Sequence, residues 1–263
     1  MTPQAPPAPP RRREPIDPRI RQRRISVTRS QGRRRLRALG GAATVTAVIA
    51  AGWGATRLPL LDVTRVIVEG AARSGPAAVA AVAGVGPGRA MVDVDERAAA
   101  SRVTGMPWGL RATVRREWPG TVRVRVVERA AVAVTRDDAG GCAVLDVSGR
   151  VLERAAEPPV GLVALEGLPP AGRPGSRLGP PAAAALVVAG SLGPYLGPRV
   201  AVVATAPDGV ELRLRPDAVV RLGPPDAVDE KLRSVRTVLG TVDPRTVATI
   251  DVRDPATPVL TRR

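Results

Sequence analysis

Side chains able to do chemistry are few in this chain, and their spacing favours structural roles. There is no histidine among the 263 residues and a single cysteine, Cys142. Without imidazole there is no Ser-His-Asp or Cys-His arrangement and no histidine metal site. One cysteine forms no internal disulfide. Cys142 opens the apolar run CAVLDV, a setting for a buried small hydrophobe rather than a reactive thiol. Carboxylates crowd most closely in DVDE, Asp93 to Glu96. Such a cluster could serve acid–base work or hold a cation. Placed just before AAASRV, it reads instead as the acidic start of a helix, where free N–H groups and the helix dipole favour negative charge. The glycines of GVGPGRA, residues 84–90, lack the G-K-S/T of a phosphate loop and follow a helix rather than a strand. No enzymatic activity, metal or cofactor is expected.

What remains is charge, and it is unevenly placed. The net charge is +16. Residues 1–37 hold twelve arginines against Glu14 and Asp17, whereas from Leu58 onward 27 basic residues face 22 acidic ones. Lys231 is the only lysine, so arginine in place of lysine reflects GC-rich codon usage and carries no message of its own. The prolines and charges of residues 1–35 cannot bury a core, so this stretch reads as a disordered basic tail. Nucleic acid is one partner for such a tail, but Trp53, Trp108, Trp118 and Tyr195 are the only aromatics available for base stacking.

A second partner follows directly after the tail. From Ala38 to Thr56 no residue is charged. Those residues would make about 28 Å of helix, against a hydrocarbon core of roughly 30 Å. Leu39, Val45, Val48, Ile49 and Trp53 supply the apolar surface, with Trp53 placed as an interfacial aromatic. Arg57 can extend its stem along the helix and keep its head at the interface. A transmembrane helix over 36–61 is therefore expected, with the arginine cluster holding the tail in the cytoplasm and the remaining residues outside. A cleaved secretory signal fits less well, because the basic region is too long and no A-x-A site follows. RRRLRAL has the twin arginines of another export route, which would imply an exported enzyme.

Residues 62–129 carry a regular pattern. DVTRVIVEG reads as a strand closed by Gly70. SGPAAVAAVAGV reads as a short helix with Ser74 as N-cap, Pro76 in its first turn and Gly84 at its end. VDVDERAAASRV gives a second helix capped by Asp95 or Asp93. Two strands follow, joined at Pro119-Gly120. In the second, Val122, Val124 and Val126 alternate with Thr121, Arg123 and Arg125, so one face is buried and one wet. The order is β-α-α-β-β.

On these letters the stretch resembles a POTRA domain, and more narrowly the FtsQ/DivIB family of bacterial division proteins. Its run R-x-W-P-x-T-V-x-V-x-V-x-E-R is matched by Arg116, Trp118, Pro119, Thr121, Val122, Val124, Val126, Glu128 and Arg129, preceded by Gly84, Gly88 and Val92-Asp93. Ala131 stands where the family commonly has proline. The bland roles of these residues are core or hairpin packing for Trp118 and a cross-strand pair for Arg116 and Glu128. Farther on, Leu145, Asp146, Gly149 and Val151 resemble the family's L-x-D-x-x-G-x-V, and Ile250-Asp251-Val252-Arg253 its late I-D-V/L-R strand.

The second half, 130–263, reads as β-rich. Strands are expected at GCAVLDV and RVLER around a turn at Ser148-Gly149, at LVAL, RVAVVAT, GVELRLRP and AVVRLG, and at VATIDV. Helices are expected at PPAAAALVVAGSLGPYL and at DAVDEKLRSVRTVLG, where Val228, Leu232, Val235 and Leu239 share a face. The fold class is α+β: tail, transmembrane helix, POTRA domain, mixed β-rich domain.

The resemblance implies a division scaffold at the septum of the cell membrane, bridging bitopic partners of the FtsB and FtsL kind and helping regulate septal peptidoglycan synthesis. The partner site expected is an open-edged strand at Thr249, Ile250, Asp251, Val252 and Arg253, flanked by the helix at 226–239, accepting a partner's strand by backbone pairing. The aromatic residues common around this strand in the family are missing here, so Ile250 and Val252 are expected to supply its apolar contacts.

Overall fold

The computed structural model describes residues 39–54 and 61–263. The tail at 1–35, Ala38 and most of both ends of the expected span lie outside the described residues. The chain divides into two units between Leu58 and Pro59.

In the first unit, α1 covers residues 39–54, all of them exposed and none charged. Thr44 and Thr46 donate their hydroxyls to the carbonyls of Gly40 and Ala42, the i−4 bond that hides a threonine hydroxyl in apolar surroundings. The helix is about 24 Å long. Among the described residues no helix is long and apolar enough to cross a membrane. The expected span runs to 61, and the second unit begins at Pro59, with Asp62 bridging to Ala90.

The second unit opens with β1 (Arg65–Glu69), α2 (Pro76–Ala83), α3 (Glu96–Gly105), β2 (Gly109–Glu117) and β3 (Thr121–Glu128), the order read from the sequence. The strands form a sheet in the order β1-β3-β2, with β1 parallel and β2 antiparallel to β3. Val122, Val124 and Val126 are buried with Val79 and Ala83 of α2, Ala99 and Val103 of α3, and Met91. Both helices cover this one face. The Asp95 side chain accepts the Ala98 N–H at 3.0 Å, so Asp95, not Asp93, is the cap. Asp95→Ala is expected to cost about 1 kcal/mol in urea denaturation.

Three side-chain expectations are corrected here. The N-cap of α2 is Gly75 at φ 77°, not Ser74; the Ser74 N–H donates instead to Glu128 at 2.7 Å. Arg116 and Glu128 do not pair, because the register sets Arg116 opposite Val122 and Glu128 opposite Gly109, at opposite ends of the hairpin. Arg116 binds Glu96 at 3.2 Å, and Glu128 accepts the N–H groups of Arg73 and Ser74. Trp118 sits at the hairpin turn and is 54% exposed, so of its two expected roles, core and hairpin packing, the core one is excluded.

Beyond Arg129 come β4 (Ala131–Arg136), β5 (Cys142–Asp146), β6 (Val151–Ala155), β7 (Val163–Glu166), α4 (Ala182–Ser191), α5 (Gly193–Leu196), β8 (Val200–Ala206), β9 (Gly209–Leu214), β10 (Val219–Gly223), α6 (Val228–Thr241), β11 (Val247–Asp251) and β12 (Val259–Arg262). Their strands make one sheet in the order β12-β11-β10-β9-β8-β7-β4-β5-β6. Leu186 and Val188 of α4 and Leu232, Val235 and Leu239 of α6 join Val203, Leu212, Val220 and Ile250 of the strands in its main core.

The two sheets meet at a built joint. Trp108, just before β2, packs with Val134, Val144 and Leu152 of the second sheet. The Arg129 guanidinium donates to Asp146 Oδ2 at 2.7 Å and to the Gly109 carbonyl at 2.9 Å. Asp146 Oδ1 accepts the Ser148 N–H, the Ser148 hydroxyl and the Arg150 N–H. Arg150 reaches back to the carbonyls of Gly105 at 2.8 Å and Pro107 at 3.3 Å. The pair is nearly dry, with side-chain exposures of 13% for Arg129 and 5% for Asp146. Burial pushes the Asp146 carboxyl up, but the bonds from Ser148, Arg129 and Arg150 outweigh it and hold the group below the usual carboxylate range. The two motifs that carry the resemblance, E-R and L-x-D-x-x-G-x-V, are thus the two halves of one interdomain ion pair.

Candidate partner-binding edge

The residues with chemical potential are all engaged in structure. The Cys142 thiol is buried and donates to the Ala155 carbonyl at 3.2 Å; burial pushes its pKa up, away from the thiolate. Asp95 is a cap and Glu96 is held by the backbone N–H and guanidinium of Arg116. In the 84–90 loop, Arg89 donates to the carbonyls of Gly84 and Asp93 and folds the chain on itself.

The expected partner strand is more informative. Residues 247–251 form β11, paired in parallel with β10 on one side and antiparallel with β12 on the other. It is therefore not an edge, and this corrects the expectation of an open strand at 249–253. Ile250 and Val252 are fully buried at 0% exposure, because both contribute to the core beneath α6. Neither side chain reaches the surface. Arg253 lies past the strand, exposed, with its guanidinium on Asp251 at 2.7 Å. This bond holds the Asp251 carboxyl below its ordinary pKa and raises that of Arg253.

The edge lies one strand farther on. The turn at 254–258, DPATP, is fixed by Asp254, which accepts the Ala256 N–H at 3.0 Å and the Thr257 hydroxyl at 2.7 Å; the Thr257 bond lowers its pKa. Pro258 then leads into β12, whose four residues are all exposed. The Arg263 N–H donates to the Thr246 carbonyl. Backbone groups alternate along a strand, so Val259 and Thr261 also face β11. Leu260 and Arg262 turn their N–H and C=O groups to the open side. This side has no neighbour in the sheet order.

Between α6 and the turn before β12 runs a groove of about 460 Å³. Glu230, Arg233, Ser234 and Thr237 of α6 form one wall and Pro255, Ala256 and Pro258 the other. α6, the helix expected as a flank, thus faces the turn that leads into β12 across this groove. Lys231 is not part of it: it is buried and donates to the Pro224 carbonyl and to Asp226. The sequence signal for β12 was the apolar pair Val259-Leu260 set off by a proline-bounded turn, too short to stand out as a strand.

The comparisons agree with this architecture. Residues 61–129 match the POTRA domain, FtsQ-type, and residues 133–253 match the C-terminal domain of cell division protein FtsQ/DivIB. Cell division protein FtsQ of Corynebacterium glutamicum is 36% identical over 111 residues, which cover 42% of this chain and 49% of that protein. Its counterpart in Anaeromyxobacter sp. (strain K) is 35% identical over 46% of this chain and 38% of its own length. That of Rhodothermus marinus is 38% identical over 45% and 43%. The matched stretch spans about half or less of these curated relatives. With both characteristic domains present in order and joined by the family's own motif residues, the chain belongs to the FtsQ/DivIB family of cell division proteins.

Proposed function

We propose that this chain is a single-pass membrane scaffold of the division septum. The helix containing residues 39–54 lodges in the bilayer, the arginine tail stays in the cytoplasm, and the two folded domains stand outside. There the chain recruits bitopic partners of the FtsB and FtsL kind and so helps regulate septal peptidoglycan synthesis. Its own part is binding rather than catalysis. Support for the span comes from a charge-free helix with every side chain exposed.

The observation that carries the partner reading is the open side of β12 at the end of the sheet. A partner strand laid along it would pair with the outward N–H and C=O groups of Leu260 and Arg262 and extend the sheet. Apolar contacts would come from Leu260 and Val259, which are 39% and 62% exposed. Thr249 to Arg253 support this edge from behind.

The test removes the outward donors. Leu260→Pro combined with Arg262→Pro deletes two N–H groups that face solvent and spares those that face β11. Capture of an FtsB-like partner segment is expected to fall at least tenfold, while the thermal midpoint stays close to that of the wild type. Ile250→Pro serves as the contrast, since its N–H faces β10 in the sheet interior and its loss unfolds the domain. Undiminished capture by the double proline variant rejects strand addition at β12.

A further inference from the structure

The POTRA sheet has two faces, and only one carries helices. On the other, Arg65 and Glu69 of β1, Thr121, Arg123 and Arg125 of β3, and Arg111, Thr113, Arg115 and Glu117 of β2 stand side by side in register. Five guanidiniums thus meet two carboxylates, a net of +3. Arg123 bridges Glu69 and Glu117, and Arg125 binds Glu69 at 2.8 Å. Both carboxylates are consumed in this way. Arg65, Arg111 and Arg115 are exposed and have no ion-pair partner among the described residues.

This concentration is local. Residues 62–129 hold eleven arginines and seven carboxylates, a net of +4, whereas residues 130–263 hold sixteen basic and fifteen acidic residues, a net of +1. Most of the excess positive charge of the folded unit, three of five charges, therefore lies on one bare sheet face. A guanidinium is weakly hydrated and presents a planar fork that fits two phosphate oxygens. The face also sits early in the chain: ten residues separate the helix at 39–54 from β1.

We propose that the bare face of the POTRA sheet docks on anionic phospholipid headgroups, with Arg65, Arg111 and Arg115 as the contacting cations. This rests on the membrane reading above, which brings the domain within reach of the bilayer. Docking would hold the POTRA domain against the membrane and leave the second sheet, with β12, to meet partners. The strength follows from charge number, since each basic residue near an anionic surface contributes about a fivefold gain in binding, so three give on the order of a hundredfold.

The test uses the full chain reconstituted in vesicles. Thr113→Cys in a Cys142→Ser background places an environment-sensitive fluorophore on β2 between Arg111 and Arg115, and lipids carrying a headgroup quencher report contact. Strong quenching is expected in phosphatidylcholine vesicles doped with phosphatidylglycerol, with several-fold less in phosphatidylcholine alone. High salt and the triple change Arg65→Gln, Arg111→Gln, Arg115→Gln should both abolish the difference, and the triple change to Lys should keep most of it. Quenching that ignores lipid charge or the triple change overturns the proposal while the membrane span stands. A chain that never associates with vesicles removes the span and this proposal together. If an added acidic peptide shields the probe in neutral vesicles and anionic lipid does not, the face belongs to an acidic protein segment and the lipid assignment is overturned.

Discussion

Asp146→Ala lowers the unfolding free energy by about 3–5 kcal/mol, the cost of leaving a buried charge without its counter-ion. The Arg129 guanidinium stays in its dry site, and the N–H groups of Ser148 and Arg150 lose their acceptor as well. Urea denaturation of the full chain measures it. Arg129→Ala should cost less, because Ser148 and Arg150 still satisfy one oxygen of the remaining carboxylate. The two losses overlap, so the double variant falls short of their sum by about 0.5–3 kcal/mol. A pH dependence follows with a definite sign. The folded pKa of Asp146 lies below its unfolded value, near 3.9 for an ordinary aspartate. The carboxylate's contribution is complete above that unfolded pKa and fades as pH falls through the folded one. Asp146→Asn should therefore lose stability less steeply than wild type as the solution is acidified below about pH 4. Parallel acid profiles would show that the ion pair contributes nothing.

Gly209→Ala is the second large effect, with an expected loss of about 3 kcal/mol or more, up to failure of the second domain to fold. Gly209 opens β9 at φ 127°, and an added Cβ would lie 2.0 Å from the carbonyl carbon and oxygen of Gly223. Both the strain and the clash are with backbone, so no side-chain rotation relieves them. Gly161 makes the control. It too has positive φ, 89°, but open space where a Cβ would sit, and Gly161→Ala should cost only about 1–2 kcal/mol. Thermal melts of the two variants side by side check the difference. Equal losses would mean that φ alone, and not the contact with Gly223, governs position 209.

Local signals in this chain were legible and spatial ones were not. The alternation of Val122, Val124 and Val126 showed which face of β3 is buried, and the aspartates ahead of ERAAAS narrowed the cap to Asp93 or Asp95, because both signals depend on neighbours in sequence. The face of α6 was read through Leu232, Val235 and Leu239 for the same reason. Position within a sheet has no such local mark. Ile250 and Val252 look alike whether a strand is an edge or interior, and only the return of β12 from the turn at 254–258 decides it. Glu128 illustrates the same limit: its partners, the N–H groups of Arg73 and Ser74, lie more than fifty residues away. Lys231 was unreadable as a buried residue, since a lysine in an amphipathic helix ordinarily faces water. The joint was half visible, with both motifs recognised and their meeting unseen.

The shortness of β12 has a consequence for every molecule of this protein that has not yet met a partner. A long bare strand would invite a second copy to stack on it and seed aggregation. Four residues bounded by a proline offer a second copy few backbone bonds, and in parallel pairing Arg262-Arg263 would meet its like-charged copy. The brevity of the strand thus discourages fibre growth by its own kind.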